Sequence, residues 1–254
     1  MSKEMVESWS NGSNLDYLVR NVLRDGHRVE SRYGDCLERI GGRLRCESGS
    51  LFTRKGINWA LGWMEMYQLI AGVYFPEGLK KVAPNADHSL FTYDMAYGPR
   101  VRDQIPVIIE ALRRDPLTRQ AVVFVGKPEN GPTSSLPCTV SIQFLIRDQQ
   151  IHAVVNMRSW DLCRGLPYDL MMFSGLLEVL GRCLNVPTGN VTVCAGSTHI
   201  YTGLVDMVPK LSKLKWSFDE SVPDTWGECV QWFEAGMYTL KKGEQPQGII
   251  YTER

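Results

Sequence analysis

Three short stretches carry side chains whose types and spacing suit chemistry on a substrate. The first is SSLPCTVSIQF, residues 134–144, where Cys138 directly follows a proline at the mouth of an extended run. Proline fixes the backbone ahead of the thiol, and a nearby arginine favours the thiolate, the form of cysteine that attacks carbon. The second is NMRSWDLCRGLPYDL, residues 156–170, which packs Arg158, Arg164, Asp161, Asp169 and a second cysteine, Cys163, where a strand runs into a helix. The third is GSTHIY, residues 196–201, with His199 and Tyr201. A nucleophile, fixed guanidinium groups and a hydrogen-bonding ring are the parts needed for covalent catalysis on an anionic substrate. Each also has a plain structural explanation: a buried cysteine as a small hydrophobe, Asp169 as an acid favoured by a helix start, and a histidine at a strand end.

The elements that must hold these residues follow from hydrophobic periodicity. Spacing near 3.6 predicts helices over 14–24, 56–71, 103–114 and 168–184, the last through Leu170, Phe173, Leu177, Leu180 and Leu184. Runs rich in Val, Ile, Thr and Phe predict strands over 119–125, 139–146, 150–158 and 190–201, with a hairpin through RDQQ between the second and third. Gly165 and Pro167 predict a turn before a helix that begins near Tyr168. Residues 76–99, with Pro, Asn, Asp and Gly, read as a long irregular segment, a kind that commonly serves function. Composition does not break anywhere, so residues 1–254 read as one α+β domain.

Composition narrows the function classes. Lys and Arg number 28, and so do Asp and Glu, which leaves no net field to gather nucleic acid or an anionic membrane. Any anion site must be local. Seven cysteines, odd in number and without a CxxC pair, argue for a reducing compartment and against a disulfide framework or a zinc knuckle. The first residues, MSKEMVESWSNGS, have no apolar run of signal-peptide length, and no later run approaches a membrane span, so the expected location is the cytoplasm.

Taken in order, the three stretches resemble the thymidylate synthase family: a Pro-Cys nucleophile leading into a Gln-Phe strand, an Arg-Ser-x-Asp segment ending in Gly-Leu-Pro, and a His-Ile-Tyr string. SRYGD with IGG at 31–42, WMEMYQLIAG at 63–72, AYGPR and DQI at 96–105, and RRDPLTRQAVV at 113–123 extend the resemblance over about residues 30–210. It implies a mixed β-sheet with helices on one face, a homodimer formed sheet to sheet, and transfer of a one-carbon unit from 5,10-methylenetetrahydrofolate to C5 of a pyrimidine nucleoside monophosphate, with no metal. Cys138 would add to C6, while Glu65 and Tyr97 would manage protons. Arg32, Arg158 and Ser159 would hold the phosphate, joined by Arg119 of the partner subunit. Gln143, His199 and Tyr201 would contact the nucleotide, the last two at the sugar hydroxyl, and Asp161 and Gly165 would contact the pterin.

The departures from the family pattern carry the finer expectation. At the end of Gly-Leu-Pro, where synthases have an asparagine that pairs with uracil, this chain has Asp169, as do the cytidylate hydroxymethylases. Residues 76–99 contain no tryptophan to cover folate, Thr139 stands in place of a histidine, Gln120 in place of an arginine and Ser197 in place of an aspartate. The expectation is a cytidylate 5-hydroxymethylase acting on CMP or dCMP. The alternatives are a dUMP synthase or hydroxymethylase, a dCMP methylase, or a regulator that binds nucleotide or RNA without catalysis.

Overall fold

The computed structural model describes residues 14–86, 92–126 and 136–253. The leading MSKEMVESWSNGS, part of the 76–99 segment and Ser134 and Ser135 ahead of Cys138 lie outside them. In chain order the elements are α1 (Asn14–Asp25), β1 (His27–Ser31), β2 (Gly34–Glu47), β3 (Ser50–Thr53), α2 (Trp59–Ala71), α3 (Pro76–Val82), α4 (Gly98–Val101), α5 (Ile105–Arg114), β4 (Val122–Phe124), β5 (Thr139–Arg147), β6 (Gln150–Asp161), α6 (Leu166–Leu184), β7 (Thr188–Tyr201), β8 (Lys210–Phe218), α7 (Trp226–Lys241) and β9 (Ile249–Glu253). Among the described residues no helix is long and apolar enough to cross a membrane.

Six strands form one sheet in the order β1-β2-β7-β6-β5-β4, and β3, β8 and β9 form a second. Within the large sheet β6 and β7 are parallel, with α6 as the connection between them, and every other pairing is antiparallel. The architecture is therefore α+β with a mixed sheet. On β6 the residues Ile151, Ala153, Val155 and Met157 are buried under the helices, whereas Asn156 and Arg158 on the opposite face are exposed. The predicted RDQQ hairpin is present: Arg147 pairs with Gln150, and Asp148 and Gln149 both take positive φ, the backbone of a two-residue turn that matches strand twist.

Two helices cross above this sheet and set the site. Asn58 caps α2, its Oδ1 accepting from the Leu61 N–H at 3.1 Å, and Gly72 ends the helix in the left-handed conformation at φ 70°. Met64, Met66, Tyr67 and Ile70 on α2 are fully buried. Glycines let α2 and α6 approach closely: a Cβ on Gly62 would lie 2.7 Å from Met171 Sδ, and one on Gly175 would lie 2.3 Å from Met66 Sδ. That close crossing brings an acid on α2 toward an acid on α6.

The predicted boundaries need correction at the charged stretch. β6 runs on to Asp161, so Arg158 and Ser159 lie within the strand, not at its end. Gly165 takes the cap position of α6 with ordinary helical φ, and Pro167 lies inside the first turn, where its missing N–H costs nothing. They start the helix; they do not break it. Within the segment read as irregular, Pro76–Val82 is helical, again with proline at its start. The 119–125 strand shrinks to Val122–Phe124.

Candidate active site

The parallel pair β6 and β7 aligns the site residues at its carboxyl ends, a favoured place for ligand sites in sheets with parallel strands. Ser159 lies opposite Ser197, Trp160 opposite Thr198, and Asp161 opposite His199. The neighbouring start of β5 supplies Cys138, whose carbonyl accepts from the Arg158 N–H at 2.8 Å. The Arg158 guanidinium bends back over the same turn, donating to Leu136 O at 2.8 Å and Pro137 O at 3.1 Å. Three hydrogen-bonded anchor points thus hold the Pro-Cys turn against one arginine. Burial pushes the Cys138 thiol up from its ordinary value, and the Arg158 charge opposes that push. The expected cation is in place, but burial outweighs it in the free protein.

Above the thiol lie the acids. Glu65 on α2 is pushed up to about 8 by burial, with Asp169 adding a like charge. Asp169, 8% exposed, is pushed up to about 7 by burial, opposed by a hydrogen bond from the Trp160 indole and assisted by Asp161. That bond runs from Trp160 Nε1 to Asp169 Oδ2 at 3.1 Å. Asp169 lies in the first turn of α6 without a side-chain capping bond, so a helix start accounts for an acid there but not for its burial. Tyr97 accepts from the Thr139 N–H at 3.3 Å and is raised by burial, with Asp169 and Cys138 both contributing. Thiol, phenol and two carboxyls therefore share one desolvated locus.

At the far end of β7, His199 is buried and pushed down by desolvation, which favours neutral imidazole. Its Nδ1 lies 3.5 Å from Ser197 Oγ, and that hydroxyl donates to Glu38 on β2. Ser197 thus relays a carboxylate from the next strand, so the loss of an aspartate at that position leaves the histidine oriented. Tyr201 packs edge-on against His199 at 5.2 Å, and Arg164 covers the Tyr201 ring at 4.7 Å. Asp161 Oδ1 accepts from the N–H groups of Cys163 and Arg164 at 2.8 and 2.9 Å, which closes the turn into α6 and leaves its other oxygen. Gly165 packs its Cα beside Asp169.

Three expected residues stand apart. Arg32 sits at the β1–β2 turn with its guanidinium 4.6 Å above its neighbour Tyr33 and a 2.6 Å bond to that hydroxyl. Arg119 is exposed beyond the end of α5. Gln143 donates to the Arg119 carbonyl at 2.8 Å on the sheet face that carries Asn156, so its amide braces the arginine segment. Cys163, by contrast with Cys138, is buried with its thiol pushed up to about 11, chiefly by burial, and its Sγ lies 3.6 Å from Leu204 O. Sequence reasoning passed over Trp160, which looks like any core tryptophan. It also passed over Tyr168, whose hydroxyl accepts from Arg54 Nη2 and the Asn58 N–H, both at 3.0 Å. Among the described residues no cluster of three or more His, Cys, Asp or Glu side chains is placed to hold a metal ion.

A family model described as thymidylate synthase matches residues 14–218. Two curated relatives, each named "Putative thymidylate synthase", come from Methanosarcina mazei and Methanosarcina barkeri. They are 31% and 32% identical over 128 residues, which cover 48% of this chain and 59% of each relative. The chain thus spans less than two thirds of the length of the curated relatives it matches. The crystal structure of thymidylate synthase from T4 phage superposes with a TM-score of 0.68 at 19% identity, covering 93% of both chains.

Proposed function

The chain belongs to the thymidylate synthase family, and on that premise we propose that it is a cytidylate 5-hydroxymethylase, acting on CMP or dCMP with 5,10-methylenetetrahydrofolate as co-substrate. The observation that carries the reading is Asp169: a buried carboxyl that keeps a proton to about pH 7, at the position that resembles the family's base reader. Cytosine offers an N4 amino donor beside an N3 acceptor, and a protonated carboxyl can accept from the first and donate to the second.

In this reading the Cys138 sulfur bonds to C6, which makes C5 electron-rich enough to take the one-carbon unit supplied by folate. Arg158 steadies the thiolate as it forms, and nucleotide phosphate, held by Arg158, Ser159 and Arg32 with Arg119 of the partner subunit, neutralises that arginine only after substrate enters. Arg32 would leave the Tyr33 ring to reach it. Glu65 and Tyr97 handle protons near C5 through water, as a carboxyl tuned to about 8 is suited to do near neutrality. His199 and Tyr201 orient the sugar, while the free oxygen of Asp161 and the bare Cα of Gly165 receive the pterin. Loss of the C5 proton breaks the transferred carbon's bond to the folate nitrogen and releases tetrahydrofolate, water adds to the exocyclic carbon so exposed, and Cys138 is expelled from C6 as the double bond re-forms. The absence of tryptophan from residues 76–99 favours water over hydride as the final partner. The sheet face opposite the helices, with exposed Phe124 and Val140, supports a homodimer.

The test is to incubate the protein with methylenetetrahydrofolate and each of CMP, dCMP, UMP and dUMP, and to identify products by mass. A hydroxymethylated cytosine nucleotide with no rise in dihydrofolate absorbance is expected. A methylated uracil nucleotide accompanied by dihydrofolate would move the protein to the synthase reaction.

A further inference from the structure

His199 is flanked by carboxylates on both neighbouring strands. Its Cα partner across the antiparallel pair β2–β7 is Glu38, and across the parallel pair β6–β7 it is Asp161. Oδ1 of Asp161 is engaged by the N–H groups of Cys163 and Arg164, which ties that side chain to the turn before α6. Glu38 is tied instead to the histidine's own strand. Its Oε1 accepts from the hydroxyl of Ser197, which lies two residues before His199 and so on the same face of β7.

A serine hydroxyl carries one proton, and a carboxylate brings none. The proton in the Ser197–Glu38 contact is therefore the serine's, and Ser197 Oγ turns a lone pair toward His199 Nδ1 at 3.5 Å. Only an N–H on Nδ1 meets that lone pair favourably. Burial pushes His199 down, outweighing the opposing charges of Asp161 and Glu38 and assisted by Arg164, so the neutral ring with its single proton prevails near neutral pH. With that proton on Nδ1, Nε2 is bare, and no described residue donates to it. His152 on β6 is the opposite case. Its Nδ1 accepts from the Asn190 N–H at 3.0 Å, which leaves its proton on Nε2, 3.4 Å from the Arg147 carbonyl.

We propose that Glu38 is the positioning residue for His199: through the Ser197 hydroxyl it holds the ring as the Nδ1–H tautomer, so that Nε2 receives a hydrogen bond from a hydroxyl of the nucleotide sugar. The carboxylate that orients the histidine thus comes from the neighbouring strand β2, one side chain removed. The contact with a sugar hydroxyl rests on the reading of His199 as a nucleotide contact, whereas the tautomer follows from Glu38 and Ser197 alone.

The test is NMR of protein labelled with 15N-histidine, slightly above neutral pH, where the shifts identify which ring nitrogen bears the proton, together with calorimetric binding of CMP and dCMP. Of the four histidines, His152 is the internal reference for Nε2–H, and His199 should show Nδ1–H. Glu38→Val keeps a strand-favouring residue but has no acceptor. It should turn His199 into a mixture of tautomers and weaken nucleotide binding by about tenfold, the scale of one hydrogen bond. Adding Ser197→Asp to that variant sets a carboxylate beside Nδ1 and should restore both the tautomer and the affinity, which a merely structural role of Glu38 would not allow. An Nε2–H tautomer at His199 in the intact protein, or an Nδ1–H tautomer that persists in Glu38→Val, overturns the proposal. A tautomer that shifts as expected while binding stays unchanged overturns the contact of Nε2 with the sugar and leaves the orienting role of Glu38. No binding of either nucleotide to the intact protein overturns the reading of the site as a nucleotide site. Should Glu38→Val not fold, Ser197→Ala replaces it, with the same loss expected, and the intact spectrum still decides the tautomer.

Discussion

Cys138 and the pair Glu65 and Asp169 are ionisable groups withdrawn from water in the same buried region, and they are balanced in opposite ways. At Cys138, burial raises the thiol while Arg158, pinned to the carbonyls of Leu136 and Pro137, pulls it back. At the acids, burial raises both carboxyls to about 8 and about 7, and the charge between them is of the same sign. The first arrangement sets a positive charge against burial, and the thiol still stays above its ordinary value. The second keeps protons in place near neutral pH, where carboxyls in water would have lost them. The fold achieves the contrast by placing the thiol at the start of β5 beside an arginine of β6, and the acids where α2 and α6 cross closely over glycines.

Removing the sulfur breaks the nucleophile half outright. Cys138→Ser should lower turnover by roughly 10^4-fold or more while equilibrium binding of nucleotide persists, since only the covalent step needs the thiolate. Cys163→Ala should keep most activity, and if the two cysteine variants behave in the reverse sense, the nucleophile has been misplaced. The acid half is sharpened by Glu65→Gln, which keeps shape and removes the proton source; a loss of roughly 10^2-fold in kcat, with KM little altered, is expected from rapid-quench or steady-state assays.

A smaller effect appears in stability. An acid whose folded value is raised binds more protons folded than unfolded, so stability falls as pH rises from about 4 toward the folded value. For Asp169 that window closes near 7. Asp169→Asn removes the dependence, and its stability relative to the unmodified protein should rise by on the order of a few kcal/mol between acid and neutral pH, measured by urea unfolding. Parallel curves across that range would mean that Asp169 is better solvated than its surroundings indicate.

The parts of the fold that a reader of the sequence finds easily are those with one buried face. β5, β6, β7 and α6 alternate or repeat cleanly because helices cover one side of the sheet, and the RDQQ turn follows from register. β2 escaped assignment because only Cys36 and Leu44 among its fourteen residues are buried, so charge on both faces hides the period. α7 was not assigned although Cys229, Phe233, Met237 and Leu240 repeat at helical spacing along its buried face. At the site, the Pro-Cys and His-Ile-Tyr strings were legible as motifs. The carboxyl balance was not, because it depends on how closely two helices approach through Gly62 and Gly175. Trp160 gave no signal at all: its N–H matters only because of where α6 begins.

The most direct measurement is kcat/KM for cytosine and uracil nucleotides with Asp169→Asn. An amide in place of the acid restores the residue that the resembled synthases set here against uracil O4 and N3–H. The cytosine value should fall by at least about tenfold and the uracil value should rise, two mispaired buried groups being worth about 1–3 kcal/mol each. A specificity ratio that stays where it was would contradict the assignment of Asp169 as the group that reads the base.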